Sequence, residues 1–166
     1  MKITLKEAKE EDAEFIYKMM QNKDYQKYYL DRLISKSIEE EKRNIDRFNS
    51  LSKKGLQYYF VIYFGKEKSG ILDIYKISKE DKRCCIGYGI NKEFWRKGIA
   101  TSAVKEALKF LKTKKIHTIE ATADPKNIAS KKVLEKNGFY LAGTLKDYYY
   151  EKEKYLDREI YWKILK

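Results

Sequence analysis

Ile86-Gly-Tyr-Gly-Ile-Asn-Lys-Glu-Phe-Trp-Arg-Lys-Gly-Ile-Ala-Thr101 decides the fold of this chain. It reads as a short apolar strand, a basic glycine turn and the start of a strong helix. At such a junction unpaired backbone N–H groups and aligned peptide dipoles converge, which suits a phosphate or pyrophosphate. Arg96 and Lys97 add mobile positive charge beside it. The reading is a phosphorylated cofactor, and the surrounding sequence has to say which.

Working outward, Ile99, Ala103, Ala107 and Phe110, joined by Val104, Leu108 and Leu111, give the helix a wide apolar face. Ahead of the turn, strand-like runs at 57–64, 70–77 and 83–90 are separated by short connections. Gly65 and Gly70 flank the first and Lys79-Glu-Asp-Lys82 makes the second, which predicts an antiparallel meander. Further upstream, Ile3 and Leu5 mark a first strand and Glu10-Glu11-Asp12 an acidic helix start, with Ala13, Ile16, Tyr17 and Met20 at helical spacing. A tyrosine-rich connection (Tyr25, Tyr28, Tyr29) leads to Ser37-Ile-Glu-Glu40, a capping box opening a second helix that Gly55 ends; Ile38, Ile45 and Phe48 supply its apolar face. Downstream, 116–123 reads as a strand, 128–136 as a helix closed by Gly138-Phe139, and 139–147 and 155–165 as strands around a Tyr148-Tyr-Tyr150 corner. This order predicts an α/β (α+β) fold on a mixed sheet, antiparallel early and with a crossover in its second half.

One proline (Pro125), no repeat and no Gly/Ser-rich linker predict a single domain over residues 1–166, long enough for a core without metal or disulfide staples. The aromatic share of 14% excludes a disordered chain. The run Tyr58-Tyr-Phe-Val-Ile-Tyr-Phe64 is far too short to cross a bilayer. Met1-Lys2-Ile3 leads straight into patterned sequence with no signal peptide, so a cytoplasmic chain without membrane partners is expected. The adjacent Cys84 and Cys85 are poor disulfide partners and suit a reducing compartment. Net charge is +12, and residues 96–166, with 17 basic and 9 acidic side chains, carry most of it. A polyanionic small cofactor explains that bias as well as RNA does, and Lys-rich composition explains it equally; nucleic acid is an open partner, not a required one.

Two nucleotide motifs fail at the turn. A dinucleotide fingerprint needs G-x-G-x-x-G between strand and helix, but Gly87 and Gly89 lie inside the strand and Gly98 comes nine residues after Gly89. A P-loop needs Gly-Lys followed by Ser or Thr, and here the order is Lys97-Gly98. Phe94-Trp-Arg-Lys-Gly-Ile-Ala-Thr101 instead resembles the coenzyme A pyrophosphate loop of the GCN5-related N-acetyltransferase (GNAT) superfamily, Q/R-x-x-G-x-G/A, with Gly98 and Ala100 at its small positions. Trp95 replaces the polar first residue, a departure common in the RimJ/RimL-like branch that acetylates ribosomal protein N-termini. A second block, Asn127-Ile-Ala-Ser130 with Val133-Leu-Glu-Lys-Asn-Gly-Phe139, resembles the family's later helix at the usual distance. With Ile3–Ala8 and Tyr155-Leu-Asp157, the resemblance covers nearly the whole chain.

The resemblance implies a seven-stranded mixed sheet with helices on both faces, splayed between the fourth and fifth strands. It implies acetyl-CoA as co-substrate, no metal, and direct attack of an amine on the thioester in a ternary complex. Arg96, Lys97, Gly98, Ile99, Ala100 and Thr101 would offer mainly main-chain N–H groups to the pyrophosphate. Backbone at Gly89 and Ile90 would pair with the pantetheine arm, and the Ile90 N–H, or a neighbour, would hold the oxyanion. Gly87 and Gly89 fit that close approach, and fit packing against Tyr or Trp rings equally. Asn127 would contact pantetheine or product, and also reads as a helix N-cap. Ser130 matches the serine used near the departing thiolate, and equally reads as a helix-surface hydroxyl.

Acetyl transfer needs a neutral amine and therefore a base. Cys85 stands where many relatives carry a glutamate, Tyr148–Tyr150 stand where others carry a later carboxylate, and Leu134 stands in the acid tyrosine's place. Glu120, flanked by Ile119 and Ala121, is the remaining carboxylate, acting through water; a solvent-facing strand residue is its competing reading. His117 reads as an exposed strand start. A nucleophilic Cys85 would need an activating base that the sequence does not show. The acceptor should lie between the early helices, the 25–33 connection and the 148–156 corner, with Tyr28, Tyr29 and Tyr149, and Tyr25 beside them, lining the groove. A protein N-terminal amine, of ribosomal-protein type, is the leading acceptor and a polyamine the runner-up, with Glu151, Glu153 and Asp157 as the acids a polyamine would need. A non-catalytic RNA- or ribosome-binding module on the same fold is the alternative, and the chain is expected to be a monomer or homodimer.

Overall fold

The apolar runs on both sides of the glycine turn build one mixed sheet. The computed structural model describes residues 2–165, leaving Met1 and Lys166 outside. Its strands are β1 (Ile3–Glu7), β2 (Tyr58–Phe64), β3 (Glu67–Ser78), β4 (Arg83–Ile90), β5 (Thr118–Ala123), β6 (Tyr140–Glu151) and β7 (Lys154–Ile164). They lie in the order β1-β2-β3-β4-β5-β7-β6, every neighbour antiparallel except the parallel pair β4–β5. The helices are α1 (Ala13–Met20), α2 (Lys23–Gln26), α3 (Ile38–Lys53), α4 (Ile99–Thr113) and α5 (Ile128–Lys136).

Both faces of the early strands are covered, which is why β2 reads as an almost continuous apolar run rather than an alternation. Phe60, Ile62, Leu72, Ile74 and Ile86 pack under α4 and α5 with Ala103, Val104, Leu111 and Leu134. Tyr59, Val61 and Ile71 pack on the other face with Ile16, Met19 and Ile45 of α1 and α3. Ser37 caps α3, its Oγ accepting from the Glu40 N–H at 3.1 Å. The Glu40 carboxylate accepts from the Lys36 N–H at 2.7 Å rather than from Ser37, so the expected capping box is only half formed. No helix among the described residues is long and apolar enough to cross a membrane.

The feature that positions the site is the shortness of the β4–β5 ladder. Only Arg83, Cys84 and Cys85 pair with Thr118, Ile119 and Glu120. Beyond Cys85 the two strands part, leaving 86–90 bonded to β3 alone. This is the expected splay.

Three local expectations change. The tyrosine-rich connection contains α2, opened by Asn22, whose Oδ1 accepts from the Asp24 N–H at 2.9 Å. Gly70 does not flank a turn: it lies inside β3, where a Cβ would stand 2.3 Å from the Gly89 carbonyl oxygen. Tyr148–Tyr150 do not form the tail corner. They lie within β6, just past a bulge at Asp147 (φ +52°), and the strands reverse at Lys152-Glu153, both with positive φ. Two residues of positive φ make the mirror-image turn that matches strand twist.

Candidate active site

Three consecutive features shape the turn before α4. Phe94 is buried, the Trp95 indole N–H donates to the Ile90 carbonyl at 2.7 Å, and Arg96 and Gly98 take left-handed conformations (φ +61° and +73°). Trp95 thus clamps the end of β4 to the turn, a role for the departure seen in the sequence. A Cβ on Gly98 would meet nothing within 4 Å, so glycine is needed there for its φ and the ground above it is open. No side chain caps α4 and no acid sits in its first turn. Among the described residues the N–H groups of Arg96, Lys97 and Gly98 meet no backbone acceptor, and those of Ile99, Ala100 and Thr101 have none within the helix. Exposed Lys97 rests its ammonium over the Phe94 ring at 5.0 Å. Six main-chain donors, a helix dipole and two cations in open ground fit a diphosphate.

The splay carries peptide groups of its own. The Asn91 N–H bonds to the Ser69 carbonyl at 2.9 Å, and alternation along the antiparallel ladder then turns the peptide groups of Gly89 and Gly87 toward β3. Tyr88 and Ile90 therefore turn theirs toward the open side. Gly89 contributes through its missing side chain: a Cβ would lie 2.2 Å from the Tyr25 hydroxyl, so packing against a tyrosine is what its glycine serves. Tyr25 itself is buried (8% exposed), and its hydroxyl has no hydrogen-bond partner among the described residues.

On the α4–α5 side, Asn127 is an N-cap, its Oδ1 accepting from the Ser130 N–H at 3.1 Å. Ser130 is not a free surface hydroxyl. Its Oγ lies 3.0 Å from the Tyr88 hydroxyl, which also reaches the Ser130 carbonyl at 3.1 Å. Burial holds the Tyr88 phenol well above its usual range, so it stays protonated and able to donate. The sequence reading passed over Tyr88, although a tyrosine between Gly87 and Gly89 is a signal that this strand presents something.

The opposite face gathers the aromatics. Tyr149 is held between the guanidinium groups of Arg32 and Arg158, each 5.0 Å from its ring. The Arg32 N–H donates to Glu151 at 3.2 Å, and Lys152 pairs with Asp31, tying the 25–33 connection to the β6–β7 hairpin. Tyr29 packs tilted against Tyr25, ring centroids 5.2 Å apart, and burial pushes its hydroxyl up to about 12. Tyr75, two residues from Asp73 on β3 and opposite Cys85 of β4, shares their face of the sheet. Burial, with Cys85, Tyr149 and Asp73 nearby, holds its phenol well above its usual range. Tyr28 is half-buried, with the Lys27 ammonium 5.2 Å from its ring centroid. Glu120 is half-buried at the foot of the splay, level with Cys85 and on the sheet face opposite Ser130. Burial, with the Glu120 charge beside it, pushes the Cys85 thiol up to about 11, which leaves it an unactivated thiol at neutral pH.

Asp73 was missed. It sits mid-β3, half-buried, with Gln57 Nε2 donating to its Oδ1 at 3.0 Å, and burial pushes its carboxyl up to about 7. A carboxylate inside the apolar run Ile71-Leu-Asp-Ile-Tyr75 was the available signal. No His/Cys/Asp/Glu cluster that could hold a metal occurs among the described residues.

Residues 2–140 match the model of the acetyltransferase (GNAT) domain. The chain belongs to this acetyltransferase family. It is 27% identical over 164 residues to the uncharacterized N-acetyltransferase YoaA of Bacillus subtilis (strain 168), covering 96% of this chain and 92% of that protein. Among solved structures, the ribosomal-protein-S5-alanine acetyltransferase from Vibrio fischeri superposes with a TM-score of 0.88 at 26% identity, covering 98% of this chain and 92% of that one. RimL, a ribosomal-protein α-N-acetyltransferase in complex with coenzyme A, superposes with a TM-score of 0.90 at 24% identity, covering 98% and 94%. The splayed seven-stranded sheet of this acetyltransferase is the fold they share.

Proposed function

We propose that this acetyltransferase acts in the cytoplasm as a single domain, moving the acetyl group of acetyl-CoA to the α-amine of a protein N-terminus of ribosomal-protein type. The chain's own residues divide the work. N–H groups from Arg96 to Thr101 hold the pyrophosphate, with Arg96 and Lys97 as mobile counter-charges, and Asn127 flanks the arm. The peptide groups of Tyr88 receive the pantetheine arm, and the Ile90 N–H, its carbonyl being held by Trp95, faces the acetyl oxygen as charge builds on it. Acetyl-CoA supplies an activated carbonyl and a thiolate leaving group. Ser130, oriented by Tyr88, or solvent protonates the departing sulfur. Two carboxylates, Glu120 and Asp73, face the acceptor side.

The observation that carries the acceptor class is the charge at the groove mouth. Arg32 and Arg158 enclose Tyr149 and Lys76 lies near it, Arg158 also pairing with Asp124. Two of the three acids a polyamine would need are engaged, Glu151 with the Arg32 N–H and Asp157 with Lys146 and the Asp147 N–H, and Glu153 alone has no partner among the described residues. Such a mouth repels a polycation and admits one amine at the head of a neutral or acidic peptide. The test is thiol release with a panel of N-terminal peptides, acidic and basic beyond the first residue, against spermidine. Turnover should favour the acidic peptides by tenfold or more. Faster turnover of spermidine overturns the acceptor assignment, and no stabilisation by millimolar acetyl-CoA in a thermal-shift titration overturns the donor assignment.

A further inference from the structure

Asp73 stands between fully buried Leu72 and Ile74 and shares its face of the sheet with Ile71 and Tyr75. Its neighbours across the ladders are Tyr59 on β2 and Gly87 on β4. Gln57 holds one oxygen; among the described residues nothing donates to Oδ2, and no cation pairs with the group. The floor beside it is open, because a Cβ on Gly87 would meet only the edge of the Tyr75 ring, at 3.7 Å. Two residues along β4 lies Gly89, under the unpartnered hydroxyl of Tyr25. Cross-strand neighbours sit about 5 Å apart, and Ile90 is three residues, about 10 Å, further along β4 than Gly87. The Asp73 carboxylate and the Ile90 N–H therefore lie at the two ends of a span that an acceptor amine and the acetyl group it attacks would bridge, past the Tyr25 hydroxyl over Gly89.

We propose that Asp73 is the catalytic base, receiving the acceptor ammonium above Gly87 and taking its proton. This rests on the acetyl-transfer reading and names the residue that completes it. Of the ammonium's three protons, one passes to Oδ2 of Asp73 and later leaves to solvent. The freed lone pair forms the C–N bond to the acetyl carbon as the C–S bond breaks. A second proton leaves nitrogen in that step, a proton is gained by the departing sulfur, and the third stays on the amide. The balance is one amide, one thiol and one proton released.

The surroundings set when Asp73 can act. Facing it are Gln57 ahead of β2, Tyr59 of β2 with Glu41 of α3 reaching that phenol at 3.3 Å, Tyr75 on its own strand, Cys85 and Gly87 of β4, and Tyr29 of the 25–33 connection. Burial and the Asp73 charge hold these phenols neutral. Burial raises the Asp73 carboxyl to about 7, opposed by the Gln57 amide. A base with a pKa near the working pH is suited to an α-amine of pKa about 8.

The test pairs Asp73→Asn with Gln57→Leu, using an N-terminal peptide as acceptor. Asp73→Asn should lower kcat about 100-fold or more, with acetyl-CoA affinity by calorimetry within twofold of wild type. A carbon-13 titration of the resting protein should show the Asp73 carboxyl changing near pH 7. Gln57→Leu should move that titration upward and carry the acid limb of kcat/KM with it, an outcome a purely structural role would not give. An acid limb that persists in Asp73→Asn overturns the proposal, as does one abolished by Glu120→Gln alone. Failure of the wild type to bind acetyl-CoA is a separate readout: it removes the acetyl-transfer reading, and this proposal with it.

Discussion

The two sides of the splayed sheet are made of different materials. On the α4–α5 side the site is mostly main chain: six N–H groups from Arg96 to Thr101, the peptide groups of Tyr88, the Ile90 N–H, and one glycine whose φ of +73° lets the turn close, with Asn127, Ser130 and the Tyr88 hydroxyl as its side chains. On the α1–α3 side it is side chain: Asp73, Tyr25, Tyr29, Tyr75 and Tyr149, brought together from β3, the 25–33 connection and β6. A main-chain site keeps its donors when side chains change. A side-chain site loses its chemistry with one atom.

The sharpest break in that comparison is Asp73. Besides the loss of turnover, Asp73→Asn should stabilise the fold. Because the folded carboxyl is raised from 3.8 to about 7, the folded protein holds a proton that the unfolded chain has already lost, so stability falls as pH rises through that window and the full penalty applies above it. That penalty is of the order of 2–4 kcal/mol. Urea midpoints of the variant should exceed wild type at pH 8, with the gap closing by pH 4. Equal gaps at both pH values would show that Asp73 carries no raised pKa.

Next comes Gly89→Ala, whose Cβ collides with the Tyr25 ring as well as its hydroxyl, at 2.2–2.6 Å. It should cost about 1–3 kcal/mol by overpacking, measured by chemical denaturation. Tyr25→Leu in the same chain should recover part of that, and strict additivity would break the assignment of the glycine to that contact. Gly98→Ala should cost about 1–2 kcal/mol through its left-handed backbone, seen mainly as roughly tenfold weaker acetyl-CoA binding. Smallest are Arg96→Ala and Lys97→Ala, each about 0.3–1 kcal/mol in coenzyme affinity and fading at high salt. A hundredfold loss from either would mean that the turn binds through side chains after all.

The same contrast governs what was legible in the sequence. The turn at Gly98, the N-cap at Ser37 and the β2–β4 meander are local, set by residues a few positions apart. Asp73 is legible only once register places Gly87 beside it, and that register depends on pairing between separate strands. Ser130 was legible as a position, while its partner Tyr88 lies 42 residues away in sequence. The misplaced tail corner has another cause. Lys152-Glu153 makes a mirror-image turn without the Asn-Gly or Asp-Gly usually found there, so the tyrosine cluster beside it drew the reading instead.

The three-pair seam between β4 and β5 has a consequence for how the chain assembles. From β2 to β4 each strand pairs with its sequence neighbour, so the meander forms from short loops. The seam must wait until α4 has been made and folded back across the sheet, a right-handed crossover with a longer loop to close. Refolding is therefore expected to zip the meander early and this seam late. In the native protein the same seam is the weakest ladder between the two halves, and slow amide exchange along 118–123 should open at a lower free energy than exchange in β2 and β3.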